Sequence, residues 1–199
     1  MLLEAQESQL VLVDYQQRLM PAVHEGATVI ANAARLAKMA RMLDVPVWIT
    51  EENADGLGAT VEELRPFAAK AIRKMQFSGA ELLLERLRPP ARQSQGNARS
   101  LPKHLQKPQT PEVQRPSIVM AGCEAHVCLL QTALDLLDEE LEVWIVTDAC
   151  GSRTERNRDA AFDRLAGAGA ELVTTEMVAF EWLRTAEHPR FRDVLTLIK

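Results

Sequence analysis

Three residues of this 199-residue chain have side chains that could cooperate in covalent chemistry: Asp14, Lys74 and Cys128. A free thiol has a pKa of about 8.5 and only its thiolate attacks efficiently, so a cysteine nucleophile needs help at neutral pH. Cys128 stands in AHVCLL, near the start of an apolar helical stretch. Unpaired N–H groups and the positive dipole end of a helix start lower a thiol pKa. An ammonium from Lys74 would lower it further. Asp14 could accept the thiol proton and later activate a water, and free N–H groups at the helix start suit a developing oxyanion. Singly, each residue has a plainer reading: a cap or turn aspartate, a solvated lysine, a small core cysteine. What joins them is that each follows an expected strand.

Those strands are read from apolar runs. Gln9 to Val13 is continuously apolar after its first residue and stops at Asp14, the pattern of a strand buried on both faces. Ala27 to Leu43 repeats apolar residues every three or four positions, an amphipathic helix. Pro46 to Thr50 is a second strand, Ala69 to Arg73 a weaker third, Ser117 to Ala121 a fourth, Glu142 to Thr147 a fifth and Glu171 to Val173 a short sixth. Helices are expected over Gly79 to Leu87, Ala125 to Leu137, Glu155 to Ala166 and from Thr175 to Leu183 onward. Such alternation implies right-handed crossovers and a mostly parallel sheet with helices on both faces. Ligands then bind beyond the carboxyl ends of the strands, where Asp14, Lys74 and Cys128 fall.

Composition narrows the class. The chain is 47% hydrophobic and 26% charged, as a globular protein is, and its length suits one domain, residues 1–199. Its net charge of −5 leaves no cationic excess for phosphates, so no nucleic-acid partner is expected. No apolar run approaches the roughly 20 residues that span a bilayer, and Met1 to Ser8 lacks the regions of a signal peptide. Three cysteines without repeated C-x-x-C spacing favour reduced thiols over a disulfide framework or zinc site. The expectation is a cytoplasmic protein with no membrane partner. Residues 89–116 stand apart, with six of the ten prolines, five glutamines and a local charge of +4. They read as an exposed Pro/Gln-rich insertion, with an active-site lid or an intersubunit arm as alternatives.

Several segments together resemble a known family. LVLVDYQQRLMPAV, WITEENADGLGATVEEL, KMQFSGAE and GCEAHVCLLQTALDLL are similar to the isochorismatase-like cysteine hydrolases, as are VTDACGSRTERNRDAA and GAELVTTEMVAFEWL. They occur in family order from Gln9 to the C-terminus, and the TEE and GLGATVEEL stretch resembles the branch of isochorismatase domain-containing proteins. The combination of strand-Asp-x-Gln, Lys-x-x-Phe-Ser and Gly-x-x-x-His-x-Cys is specific only when all three occur at these separations. The resemblance implies a three-layer α/β/α, Rossmann-like fold with a six-stranded sheet and a Cys-Asp-Lys triad. Cys128 matches the nucleophile, Asp14 the base and Lys74 the thiolate-stabilising residue. It also implies a non-proline cis peptide joining Cys123 to Glu124, aiming the Glu124 N–H with that of Cys128 at an oxyanion. Gln16 and Phe77 match positions near the substrate pocket. The family self-associates, so a homo-oligomer is expected.

One departure matters. Nicotinamidase-type members place an Asp/His metal site after the second strand, where this chain reads TEENADGLG without histidine. His24, His104, His126 and His188 lie elsewhere without ligand spacing, so no metal and no cofactor are expected. Cys123 and Cys150 read as small buried residues, with a Cys123–Cys128 redox disulfide as the rival. His126 reads as a packing or hydrogen-bonding residue. Asp148, Ser152 and Arg153 read as loop-fixing or interface residues. Glu51 and Glu52 follow the expected second strand, and either could reach the site. Gly167 and Gly169 form a helix-to-strand turn rather than a dinucleotide loop. The expected function is hydrolysis of a small amide or related molecule. A catalytically silent binding or scaffold protein and a thiol-redox protein are the alternatives.

Overall fold

The computed structural model describes residues 2–88 and 115–199. Strand β1 (Ser8–Val13) is buried at all six positions. It lies between β2 (Val47–Glu52) and β4 (Ser117–Gly122), parallel to both. Adding β3 (Ile72–Lys74), β5 (Glu142–Val146) and β6 (Glu171–Val173) gives the order β3-β2-β1-β4-β5-β6. Every strand pairing is parallel, one step beyond the mostly parallel sheet expected.

Helices α1 (Gly26–Met42), α6 (Thr175–Leu183) and α7 (Phe191–Ile198) pack together on one face. Helices α3 (Ala80–Leu87), α4 (Leu130–Asp138) and α5 (Glu155–Gly167) cover the other. A short α2 (Ala54–Leu57) follows β2. Leu10, Leu12, Leu36, Ile118 and Met120 are fully buried and form the centre of the core. The expected α/β/α class and six-stranded sheet are therefore those of the molecule.

The strand order places the site. From β1 the chain winds outward through β2 to β3, then returns to lay β4 on the other side of β1. Connections leave the carboxyl ends of β1 and β4 in opposite directions, which opens a crevice there. Gly122 makes that junction possible, since a Cβ on it would sit 2.6 Å from the Val13 Cβ and 2.8 Å from the Val13 carbonyl oxygen. Any larger residue would push the two strand ends apart.

Several boundaries differ from the sequence reading. Strand β3 begins at Ile72 and includes Lys74, so the lysine ends the strand instead of following it. Strand β2 runs on to Glu52, because Glu51 and Glu52 continue the ladder opposite Arg73 and Lys74. Glu51 and Glu52 thus belong to the strand. The helix expected from Ala125 opens with a wider π turn over Ala125–Leu129 before α4 begins. Most of the 89–116 insertion lies outside the described residues. Of the two that do not, Arg115 donates to the carbonyls of Ala5 (2.9 Å) and Ser8 (3.0 Å), and the Pro116 carbonyl accepts from the Glu142 N–H (3.1 Å).

Candidate active site

The crevice between β1 and β4 gathers side chains from four strand ends. Asp14, the first residue past β1, has φ +56°, a left-handed conformation that aspartate tolerates better than most residues. The bend turns its carboxylate, fully buried, toward β2 and β3. There it accepts hydrogen bonds from Thr50 Oγ1 (2.6 Å) and Lys74 Nζ (2.7 Å). The Lys74 side chain is also fully buried. Its other two donors are satisfied by the carbonyls of Gln76 (3.2 Å) and Phe77 (3.0 Å). A buried ammonium with every N–H directed is held as an oriented charge rather than a mobile one.

Cys128, in the π turn after β4 and 7% exposed, lies near enough to Asp14 and Lys74 for both charges to act on its thiol. Thr132 fixes it from behind, donating to the Cys128 carbonyl (2.7 Å) while accepting from the Gly79 N–H (2.9 Å). The structure thus brings Asp14, Lys74 and Cys128 together. Thr50 and Thr132, which sequence reasoning passed over, hold two of them in place. A hydroxyl at the carboxyl end of a central strand, the last letter of WIT, was the available signal for Thr50.

The acidity of the thiol runs opposite to the sequence expectation. Burial and the charge of Asp14, outweighing the opposing pull of Lys74, push the Cys128 thiol up to about 12. Asp14 also favours the neutral thiol as a hydrogen-bond acceptor. The lysine ammonium is engaged by Asp14 and two carbonyls, so its influence on the sulfur is only partial. In the resting site the thiol carries its proton and Asp14 is the neighbouring acceptor.

Cys123 and Cys150 are buried free thiols, as packing residues would be. Burial raises both, Cys150 to about 12. All three thiols stay protonated in the fold well past the pH at which an unfolded chain ionises them. The unfolded state therefore binds fewer protons above about pH 8.5, and stability falls as pH rises from there. Each thiol contributes about 1.4 kcal/mol per pH unit across that window. Urea midpoints measured from pH 7 to 10 are expected to fall steeply above pH 9, and a flat profile would contradict this burial.

The peptide joining Cys123 to Glu124 is cis, as the resemblance implied. Among the described residues the Glu124 N–H has no acceptor, and its side chain is fixed by the Arg153 N–H (3.1 Å) and Nε (2.8 Å). Arg153 is accordingly a loop-fixing residue, and Asp148 is another, accepting from the N–H (2.8 Å) and hydroxyl (2.9 Å) of Thr175. His126 Nδ1 lies 3.0 Å from Ser152 Oγ, the hydrogen-bonding role expected of it.

Gln16 is tied to the backbone at the end of β2. It is fully buried, and its amide donates to the carbonyls of Glu52 (2.9 Å) and Gly58 (2.7 Å) while accepting from the Glu52 N–H (2.9 Å). Both amide hydrogens are engaged by backbone, so Gln16 positions the end of β2. The Phe77 side chain is half exposed, and its carbonyl serves Lys74. A cleft of about 330 Å³ opens beside Lys74, lined by Asn53, Asp55, Arg73, Gln76 and Leu82 among others. Glu51 is buried and accepts from the N–H (2.8 Å) and hydroxyl (2.7 Å) of Thr60. Among the described residues, no group of three or more His, Cys, Asp or Glu could hold a metal ion, and no helix is long and apolar enough to cross a membrane. His104 lies outside the described residues.

Comparison with known proteins follows the same lines. The isochorismatase domain model matches residues 8–177. Isochorismatase domain-containing protein 2A of Mus musculus is 35% identical over 194 residues, covering 98% of this chain and 84% of that protein. Among solved structures, the MAR1 ribonuclease of Caenorhabditis elegans superposes with a TM-score of 0.83 at 29% identity, covering 100% of this chain and 92% of that one. The YcaC gene product of Escherichia coli, described as an octameric hydrolase of unknown specificity, superposes at 0.74 with 23% identity, covering 98% and 95%.

Proposed function

The chain belongs to the isochorismatase domain family, and from that premise we propose that it is a cysteine hydrolase acting on the C–N bond of a small amide or related molecule. The observation that carries this reading is the buried Asp14 carboxylate, held by Lys74 Nζ at 2.7 Å and Thr50 Oγ1 at 2.6 Å beside the Cys128 thiol.

The steps follow from these atoms. A thiol at about 12 cannot supply much free thiolate at neutral pH, so its proton passes to Asp14 as the sulfur attacks the carbonyl carbon. The oxyanion forms against the N–H groups of Glu124 and Cys128. Collapse breaks the C–N bond, and the amine leaves with the proton from Asp14. Water then attacks the thioester, giving its proton to Asp14; the acid is released and the thiol re-forms with that proton. Lys74 and Thr50 keep the carboxylate aimed throughout. The chemistry draws on the chain's own side chains, with no cofactor or metal in any step.

The partners we assign are a small-molecule substrate and further copies of the chain, in a reducing, cytoplasmic setting and without a membrane. Octamer formation by the E. coli relative supports self-association. The nematode neighbour is called a ribonuclease, but this chain has a net charge of −5 and carboxylates around the crevice, a poor surface for a polyanion.

The test is capture of the acyl-enzyme. A panel of small amides, rapidly quenched and read by intact mass, is expected to yield one adduct mapped to Cys128. Turnover that persists unchanged in Cys128→Ser would overturn the reading, and so would cleavage of RNA in place of amides.

A further inference from the structure

Among the described residues, Glu52 is a carboxylate at the crevice to which no donor hydrogen-bonds or ion-pairs. Its backbone is clamped on both sides, the N–H donating to Gln16 Oε1 (2.9 Å) and the carbonyl accepting from Gln16 Nε2 (2.9 Å). Side chains alternate along a strand, so Glu52 shares a face with Thr50, whose hydroxyl is bonded to Asp14. It also stands in register with Lys74 on β3. Among the described residues, no donor hydrogen-bonds or ion-pairs with its carboxylate.

The neighbours make this notable. Glu51, on the opposite face, is satisfied by Thr60 and approached by Arg73 at 3.8 Å. Lys74 cannot serve Glu52 by contact, since its three N–H groups go to Asp14, Gln76 and Phe77. Asp14 and Lys74 cancel one another as a pair 2.7 Å apart. Glu52 is then a half-buried carboxylate with no compensating contact among the described residues.

We propose that Glu52 reads the substrate, selecting one that presents an N–H donor or protonated amine on this wall of the crevice and rejecting one with a carboxylate there. The proposal rests on the hydrolase reading above and adds the substrate's electrostatic class to it. Consistent with that placement, partial burial and the nearby Asp14 raise the Glu52 carboxyl while Lys74 opposes them, and the charge of Glu52 acts on the Cys128 thiol.

The test needs no known substrate. Cys128 is alkylated with iodoacetamide, which is neutral, and with iodoacetate, which is anionic, and the adduct is mapped by mass spectrometry. The ratio of the two rates cancels any change in thiolate fraction and reports the field that the incoming reagent meets. Glu52→Gln, an isosteric change, is expected to narrow the preference for the neutral reagent by about tenfold. Glu176→Gln, exposed on α6, is expected to leave it unchanged. Equal ratios in wild type and Glu52→Gln would overturn the proposal. A Cys128 unreactive to both reagents would also count against it, because the proposal requires a crevice open to small ligands. The hydrolase reading fails separately, through amide turnover that survives Cys128→Ser, and the ratio still reports on Glu52 in that case.

Discussion

Asp14→Asn is expected to lower kcat/KM for an amide substrate by about 10³-fold while making Cys128 easier to alkylate. The two effects follow from the same contacts. The amide of asparagine can still accept from Thr50, but it cannot take the thiol proton during attack. The negative charge of Asp14 and its hydrogen bond with the thiol are among the causes that hold Cys128 near 12. Removing them leaves the opposing pull of Lys74, so the thiolate fraction rises. A thiol that ionises more readily in an enzyme that works far less well is the signature of a lost base. Alkylation by iodoacetamide that slows together with turnover would instead mean that Asp14 only supports the fold around the sulfur.

Lys74→Met is expected to destabilise the protein by about 3–5 kcal/mol, because it leaves a fully buried carboxylate without its counter-ion. Thr50 alone cannot offset the desolvation of Asp14, and the carbonyls of Gln76 and Phe77 lose their donor as well. Asp14→Asn combined with Lys74→Met removes both charges and is expected to recover most of that loss. Urea denaturation of the single and double variants measures this, and a single variant within 1 kcal/mol of wild type, a margin read as roughly zero, would contradict the burial of the pair.

Much of the architecture was legible in the chain because its central strands are continuous apolar runs. LVLV and SIVMA can be covered only from both sides, and the helical periodicity between them implied parallel crossovers. The edge elements were harder. Strand β3 holds only Ile72, Arg73 and Lys74, so hydrogen bonding to β2 rather than composition decides where it begins. The acidic end of β2 looked like a loop for the same reason: Glu51 and Glu52 have low strand propensity and are ordered by the ladder and by Gln16.

The site divides similarly. Asp14, Lys74 and Cys128 could be picked out because each follows an apolar run or lies near a helix start. The balance of forces on the thiol could not, since it depends on burial and on which partner Lys74 chooses. The family resemblance put Gln16 near the pocket, but only the fold reveals that both its amide hydrogens go to backbone carbonyls. Glu52 was one of two adjacent candidates until the strand register assigned them to opposite faces.

The placement of β1 between β2 and β4 also governs when the proposed site is assembled. Asp14 and Lys74 belong to the part of the chain before residue 89 and Cys128 to the part after residue 114. Neither part holds both the proton acceptor and the sulfur. The two meet only when β4 docks along β1, at the seam where Gly122 lies against Val13. A nascent or half-folded chain therefore carries an ordinary thiol with no base beside it. On the hydrolase reading the sulfur gains its proton acceptor only in the finished sheet, through the same strand pairing that completes the fold.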